Sequence, residues 1–163
     1  MRYLKRILLV EDSRKDVELT LAALGEFNLA NEVVVAHDGA EALDYLYQRG
    51  KFAGQAHEFP AVVLLDLKMP KVDGLEVLRQ MKADPGLKRI PVVMLTSSRE
   101  EQDLVKSYDL GVSAYVVKPV EFQQFVNTVK ELGLFWAVIN ETPPGSAPKT
   151  RRLAGAMSGN QIR

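Results

Sequence analysis

The chain has 163 residues, with 21 Lys+Arg balanced by 21 Asp+Glu and a formal net charge of zero. The last stretch, from Pro143, carries Lys149, Arg151, Arg152 and Arg163 without an acid, so the remainder holds 17 basic and 21 acidic residues, a net of −4 that argues against nucleic acid as a ligand. Absence of cysteine excludes disulfides, thiol catalysis and cysteine-based zinc sites; with no signal-peptide core and no apolar run near the roughly 18 residues of a membrane span, the expectation is a cytoplasmic protein without membrane insertion.

The first element, Ile7-Leu-Leu-Val10, is apolar without alternation, as in strands buried on both faces of a parallel sheet. It stops at Glu11-Asp12. Ser13 can then cap a helix presenting Val17, Leu21 and Leu24. A second strand is expected over Glu32–Ala36, followed by Asp38 as the cap of a helix with Leu43, Leu46 and Tyr47 on one face. Residues 50–60 form a longer connection at the rim opposite the strand carboxyl ends, and no catalytic role is assigned to it.

The third run, Val62-Val-Leu-Leu65, stops at Asp66. Met69-Pro70 constrains the loop that follows, and Asp73-Gly74 opens a helix carrying Leu75 and Leu78, with Gly74 read as permitting a tight turn. The fourth run, Val92-Val-Met-Leu95, stops at Thr96; a helix from about Ser98 to Asp109 follows and ends at Gly111. The fifth, Tyr115-Val-Val117, stops at Lys118-Pro119 and precedes a helix with Phe122, Phe125, Val126, Val129 and Leu132. Five strand–helix units favour a doubly wound α/β sandwich. Beyond Gly133 comes an apolar segment, Leu134-Phe-Trp-Ala-Val-Ile139, and from Pro143-Pro144 the composition reads as a disordered tail.

Ligands of such sheets bind outside the carboxyl ends of the strands. Three acids, a hydroxyl and an ammonium are therefore expected at one rim. Adjacent Glu11 and Asp12 repel each other and suit a hard cation such as Mg²⁺, although an acid here or Ser13 could equally serve as a helix cap. Asp66 is not needed as a cap, because Asp73-Gly74 starts the next helix. A carboxylate beside a cation can accept a phosphoryl group as an aspartyl phosphate. Thr96 could donate to a phosphoryl oxygen and Lys118 could pair with it as a point charge. Singly, each has a plainer reading as a loop acid, a solvated threonine or a surface lysine. His37, at the end of the second strand, and His57, in the long loop, lack metal-binding spacing.

Jointly, Ile7-Leu-Leu-Val-Glu-Asp-Ser13, Leu64-Leu-Asp-Leu-Lys-Met-Pro70 with Asp73-Gly74, Pro91-Val-Val-Met-Leu-Thr-Ser97 and Gly111-Val-Ser-Ala-Tyr-Val-Val-Lys-Pro119 resemble the receiver domain of two-component response regulators over roughly residues 5–133. The resemblance implies a flavodoxin-like fold with strand order 2-1-3-4-5. It implies that Asp66 takes phosphate from the phosphohistidine of a sensor histidine kinase. Glu11, Asp12, Asp66 and the backbone carbonyl of Lys68 would hold Mg²⁺ or Mn²⁺. Thr96 would be the switch hydroxyl, Lys118 the phosphate-pairing lysine before a cis Pro119, and Tyr115 the aromatic switch residue. Phosphorylation would remodel the face of the fourth helix, fifth strand and fifth helix.

The 50–60 loop, Lys106-Ser-Tyr-Asp-Leu110 and Phe135-Trp136 are similar to small single-domain receivers serving bacterial and cyanobacterial phytochrome kinases. That likeness implies a stand-alone receiver over 1–142, a C-terminal extension at 134–142 and a tail at 143–163. It also implies a symmetric homodimer, braced by Phe135, Trp136, Val138 and Ile139, unless these fold back on their own domain. Two rivals fit less well. A haloacid-dehalogenase-type phosphatase needs an Asp where Lys68 stands, and a flavin phosphate would be repelled by Glu11-Asp12.

Overall fold

The computed structural model describes residues 6–25, 32–55 and 58–133. The extension at 134–142 with Phe135, Trp136, Val138 and Ile139, the tail at 143–163, and His57 lie outside the described residues. The strands are β1 (Ile7–Val10), β2 (Val33–Ala36), β3 (Val62–Asp66), β4 (Val92–Thr96) and β5 (Ala114–Val117). They form one sheet in the order β2-β1-β3-β4-β5, with every pairing parallel. The helices are α1 (Arg14–Leu24), α2 (Gly39–Tyr47), α3 (Gly74–Ala83), α4 (Arg99–Ser107) and α5 (Phe122–Glu131). This is the expected flavodoxin-like, doubly wound architecture.

The unalternating strand runs fill two cores. Leu8, Val10, Val63, Leu65, Val92 and Met94 meet α2, α3 and α4 on one face; Ile7, Leu9, Val62, Leu64, Val93 and Leu95 meet α1 and α5 on the other. Side chains alternate across a strand, so each run needs apolar residues at every position. Register brings the polar ends to one rim, stepped by one residue from β3 to β4 and from β4 to β5. Val10 pairs with Leu65, Asp66 with Leu95, and Thr96 with Val117.

The expected caps form, and Ser98, expected as the start of the fourth helix, caps it. The side chains of Ser13, Asp38, Asp73 and Ser98 each accept the backbone N–H of the third residue into the helix. The fourth helix stops at Ser107, earlier than expected, because Asp109 and then Gly111 take positive φ angles of 52° and 74°. The buried face of α1 also differs from the one expected. Leu21 is 37% exposed, whereas Thr20, Ala23 and Leu24 are buried, so the helix is rotated toward Thr20. A polar Thr at that position hides the true stripe from an apolar pattern. The long loop contains a 3₁₀ turn over Gly50–Phe52, and Phe52 meets the buried Tyr45 edge-on at 5.1 Å between ring centroids.

Gly74 is required for a reason other than a tight turn. A Cβ there would lie 2.3 Å from the Asp66 carbonyl oxygen and 2.9 Å from the Leu67 Cα. The backbone N–H of Gly74 also donates to the Leu67 carbonyl at 2.8 Å. The start of α3 is thus pressed against the backbone that carries Asp66. Gly74→Ala should cost about 2 to 3 kcal/mol, as overpacking against rigid backbone does. Urea unfolding checks this, and an unchanged midpoint would contradict the close approach.

Candidate phosphoryl-acceptor site

The end of β1 delivers Glu11 fully buried and Asp12 exposed. Neither acid caps α1, since the Asp16 N–H donates to Ser13 Oγ at 3.2 Å. The Ser13 N–H donates to Glu11 Oε2 at 3.2 Å, while Glu11 Oε1 accepts from Lys118 Nζ at 3.1 Å. Both oxygens of this buried carboxylate are therefore held. Burial of an unpaired carboxylate would be costly, so Lys118 is what permits Glu11 inside.

Lys118 reaches the acids from the far side of the sheet's active end. Its backbone N–H donates to the Thr96 carbonyl at 2.7 Å, and the following peptide bond to Pro119 is cis. Its ammonium lies 3.0 Å from Asp66 Oδ1 and 2.9 Å from Asp16 Oδ2, besides the contact with Glu11. Asp66 itself is 5% exposed. Glu11, Asp12 and Asp66 offer ligand oxygens all within 4.8 Å of one another.

Charge at this rim is unbalanced. Lys118 faces Glu11, Asp16 and Asp66, with Asp12 alongside. Burial pushes the Asp66 carboxyl up; the Lys118 hydrogen bond pulls it back and the Glu11 charge pushes it up again, leaving it at about 7. Burial works against the Lys118 charge too, but Asp16, Asp66 and Glu11 outweigh it and raise the ammonium above the ordinary lysine range. Excess negative charge on clustered hard oxygens fits a divalent cation.

Thr96 is fully buried, and its Oγ1 has no hydrogen-bond partner among the described residues. An orphan hydroxyl at this depth is costly, so it stands ready for an acceptor. Tyr115 pairs across the sheet with Met94, and Thr96 lies two residues beyond Met94, so all three face the α4 side. The Lys106 ammonium sits 5.2 Å above the Tyr115 ring. Lys68, expected to supply a backbone carbonyl, sends its exposed side chain to Glu101 Oε2 at 3.1 Å.

Two participants are not apparent from the sequence pattern. Asp16 and Glu101 each stand three residues after a capping serine, the spacing of a capping box, which would use the acid on the serine's own N–H. Neither acid does so here. Asp16 goes to Lys118, and Glu101 accepts from the Ser97 N–H at 2.8 Å while pairing with Lys68. Glu101 thus ties the loop after β3 to the start of α4. The spacing is visible in the sequence, but the distant cations are not.

The response regulator receiver domain family matches residues 7–130. The chain belongs to this family. As a receiver it is 40% identical over 132 residues to the response regulator Rcp1 of Synechocystis sp., covering 81% of this chain and 88% of that protein. The crystal structure of the Mn²⁺-bound form of Rcp1 superposes with a TM-score of 0.65, covering 82% of this chain and 94% of that one. The bacteriophytochrome response regulator AtBRR is 64% identical, with a TM-score of 0.81 over 86% of this chain and 100% of that one. The phosphorylated cyanobacterial phytochrome response regulator RcpA is 43% identical, with a TM-score of 0.67 over 88% of this chain and 100% of that one. Among the described residues of the receiver, no helix is long and apolar enough to cross a membrane.

The receiver's raised acid predicts a pH dependence for cation binding. From the ordinary carboxylate range up to about 7, the folded metal-free protein keeps a proton on Asp66 that a cation must displace. Apparent Mg²⁺ affinity should therefore fall by up to about tenfold per pH unit below neutrality. Calorimetric titration at several pH values checks this, and a flat profile would return Asp66 to the ordinary range.

Proposed function

We propose that this receiver accepts a phosphoryl group on Asp66 from the phosphohistidine of a sensor histidine kinase. The observation that carries this reading is the Lys118 ammonium 3.0 Å from Asp66 Oδ1, an acid of the cluster able to hold a metal ion. A carboxylate oxygen of Asp66 attacks phosphorus, the N–P bond breaks, and the imidazole keeps the electron pair. The product is an acyl phosphate, which water later cleaves to restore Asp66.

Each neighbour has a part in that chemistry. Glu11, Asp12, Asp66 and the backbone carbonyl of Lys68 would hold Mg²⁺, or Mn²⁺ in its place. Bound there, the cation supplies neutralisation of the charge on the transferring oxygens. Lys118 donates to a phosphoryl oxygen and keeps the added charge compensated. Support comes from Rcp1, whose crystal structure is of a Mn²⁺-bound form, and from RcpA, whose structure is of the phosphorylated protein.

Thr96 then donates its hydroxyl to the phosphoryl group, and Tyr115 turns inward from beneath Lys106. The shared face of these two side chains favours this coupling. The readout surface is the α4–β5–α5 face, where Leu104 and Tyr108 are each 49% exposed. That face would also receive a second copy in a homodimer. The likeness to bacteriophytochrome and cyanobacterial phytochrome response regulators makes a phytochrome-type kinase the partner of choice.

Asp66→Asn should abolish phosphoryl gain from acetyl phosphate and Mg²⁺, because an amide is not a competent nucleophile here. Intact-mass spectrometry reads the outcome. A variant that still gains a phosphoryl group would move the acceptor elsewhere.

A further inference from the structure

We propose that Asp16, in the first turn of α1, is a positioning residue that holds the Lys118 ammonium at the site while the cation and the phosphoryl group engage its other two carboxylate partners. The proposal rests on the reading of Asp66 as acceptor and adds a role to a residue outside the acid cluster.

An ammonium has three N–H donors. Lys118 donates to Asp16 Oδ2 at 2.9 Å and to Glu11 Oε1 at 3.1 Å, and its ammonium is ion-paired with Asp66 Oδ1 at 3.0 Å. Three carboxylates thus surround one ammonium. Two of these partners, Glu11 and Asp66, belong to the cluster able to hold a metal ion, and Asp16 does not. A cation and a new acyl phosphate on Asp66 compete for those two. Asp16 is the partner that neither change touches.

The local sequence directs Asp16 to this task. Its backbone N–H is used by Ser13 Oγ, which fixes the residue in the helix. The return bond of a capping box, from the acid to the serine N–H, is taken instead by Glu11 Oε2 at 3.2 Å. The Asp16 carboxylate is left to reach across to β5's end. Lys118 has a side chain only 15% exposed, against 33% for Asp16, so the pair is screened less than a surface bridge.

Asp16→Asn keeps the backbone cap and removes the charge. Its rate of phosphorylation by acetyl phosphate with saturating Mg²⁺, followed by intact mass, should fall about fivefold, in keeping with a partly exposed charge-assisted bond. Asp16→Glu should recover part of the loss. In a Lys118→Ala background the same Asp16→Asn change should do nothing further, because its effect passes through the lysine. Mg²⁺ affinity should stay within about twofold of the unsubstituted protein, since Asp16 is no ligand.

A wild-type rate in Asp16→Asn would overturn the proposal. So would an undiminished fivefold loss in the Lys118→Ala background, which would mark a structural role, or a parallel loss of Mg²⁺ affinity, which would make Asp16 a ligand. Failure of the unsubstituted protein to gain a phosphoryl group would instead remove the acceptor reading, and this role with it.

Discussion

The Lys118 ammonium, 2.9 to 3.1 Å from oxygens of Asp16, Asp66 and Glu11, is the contact on which the functional rim depends. It joins the ends of β1, β3 and β5 and the start of α1 through one charge. Removing it would leave a fully buried Glu11 and a nearly buried Asp66 uncompensated, a far larger penalty than the loss of a surface ion pair. Lys118 does not neutralise the rim, however. Burial first, and the Glu11 charge after it, raise Asp66, and the surplus of acid over base is what invites a cation.

The sheet makes that arrangement stiff. Two cores clamp the strands from both faces, and the register brings Asp66, Thr96 and Lys118 to the ends of successive strands at one rim, each stepped one residue beyond the last. Gly74 lets α3 press on the Asp66 backbone, where any side chain would push it away. The residues proposed to switch lie on the α4 side. There the Thr96 hydroxyl has no partner among the described residues, Tyr115 lies under Lys106, and Glu101 links Ser97 to Lys68. In the proposed function, a phosphoryl group at the rim acts on this side of the sheet through the Thr96 hydroxyl.

Much of the architecture and of the rim is legible in the amino-acid sequence. Unalternating apolar runs signal two-sided burial, and each run ends on the residue that the fold brings to the rim. Ser13, Asp38, Asp73 and Ser98 are readable as caps because capping is local chemistry. What stays hidden depends on distant partners or on backbone proximity. Asp16 and Glu101 look like the closing acids of capping boxes, and only the positions of Lys118 and Lys68 reveal their other use. Gly74 has the pattern of a turn residue, and only the nearness of the Asp66 carbonyl shows why it must lack a side chain. The rotation of α1 is concealed because its buried stripe includes Thr20.

The central claim is that, of the clustered acids, Asp66 alone carries the phosphoryl group. Its most direct test is chemical trapping. The protein is treated with acetyl phosphate and Mg²⁺, reduced with borohydride to convert an acyl phosphate to the alcohol, and mapped by peptide mass spectrometry. Homoserine should appear at position 66 and at neither Asp12 nor Asp16. Reduction at Asp12, Asp16 or Glu11 with Asp66 intact would contradict it.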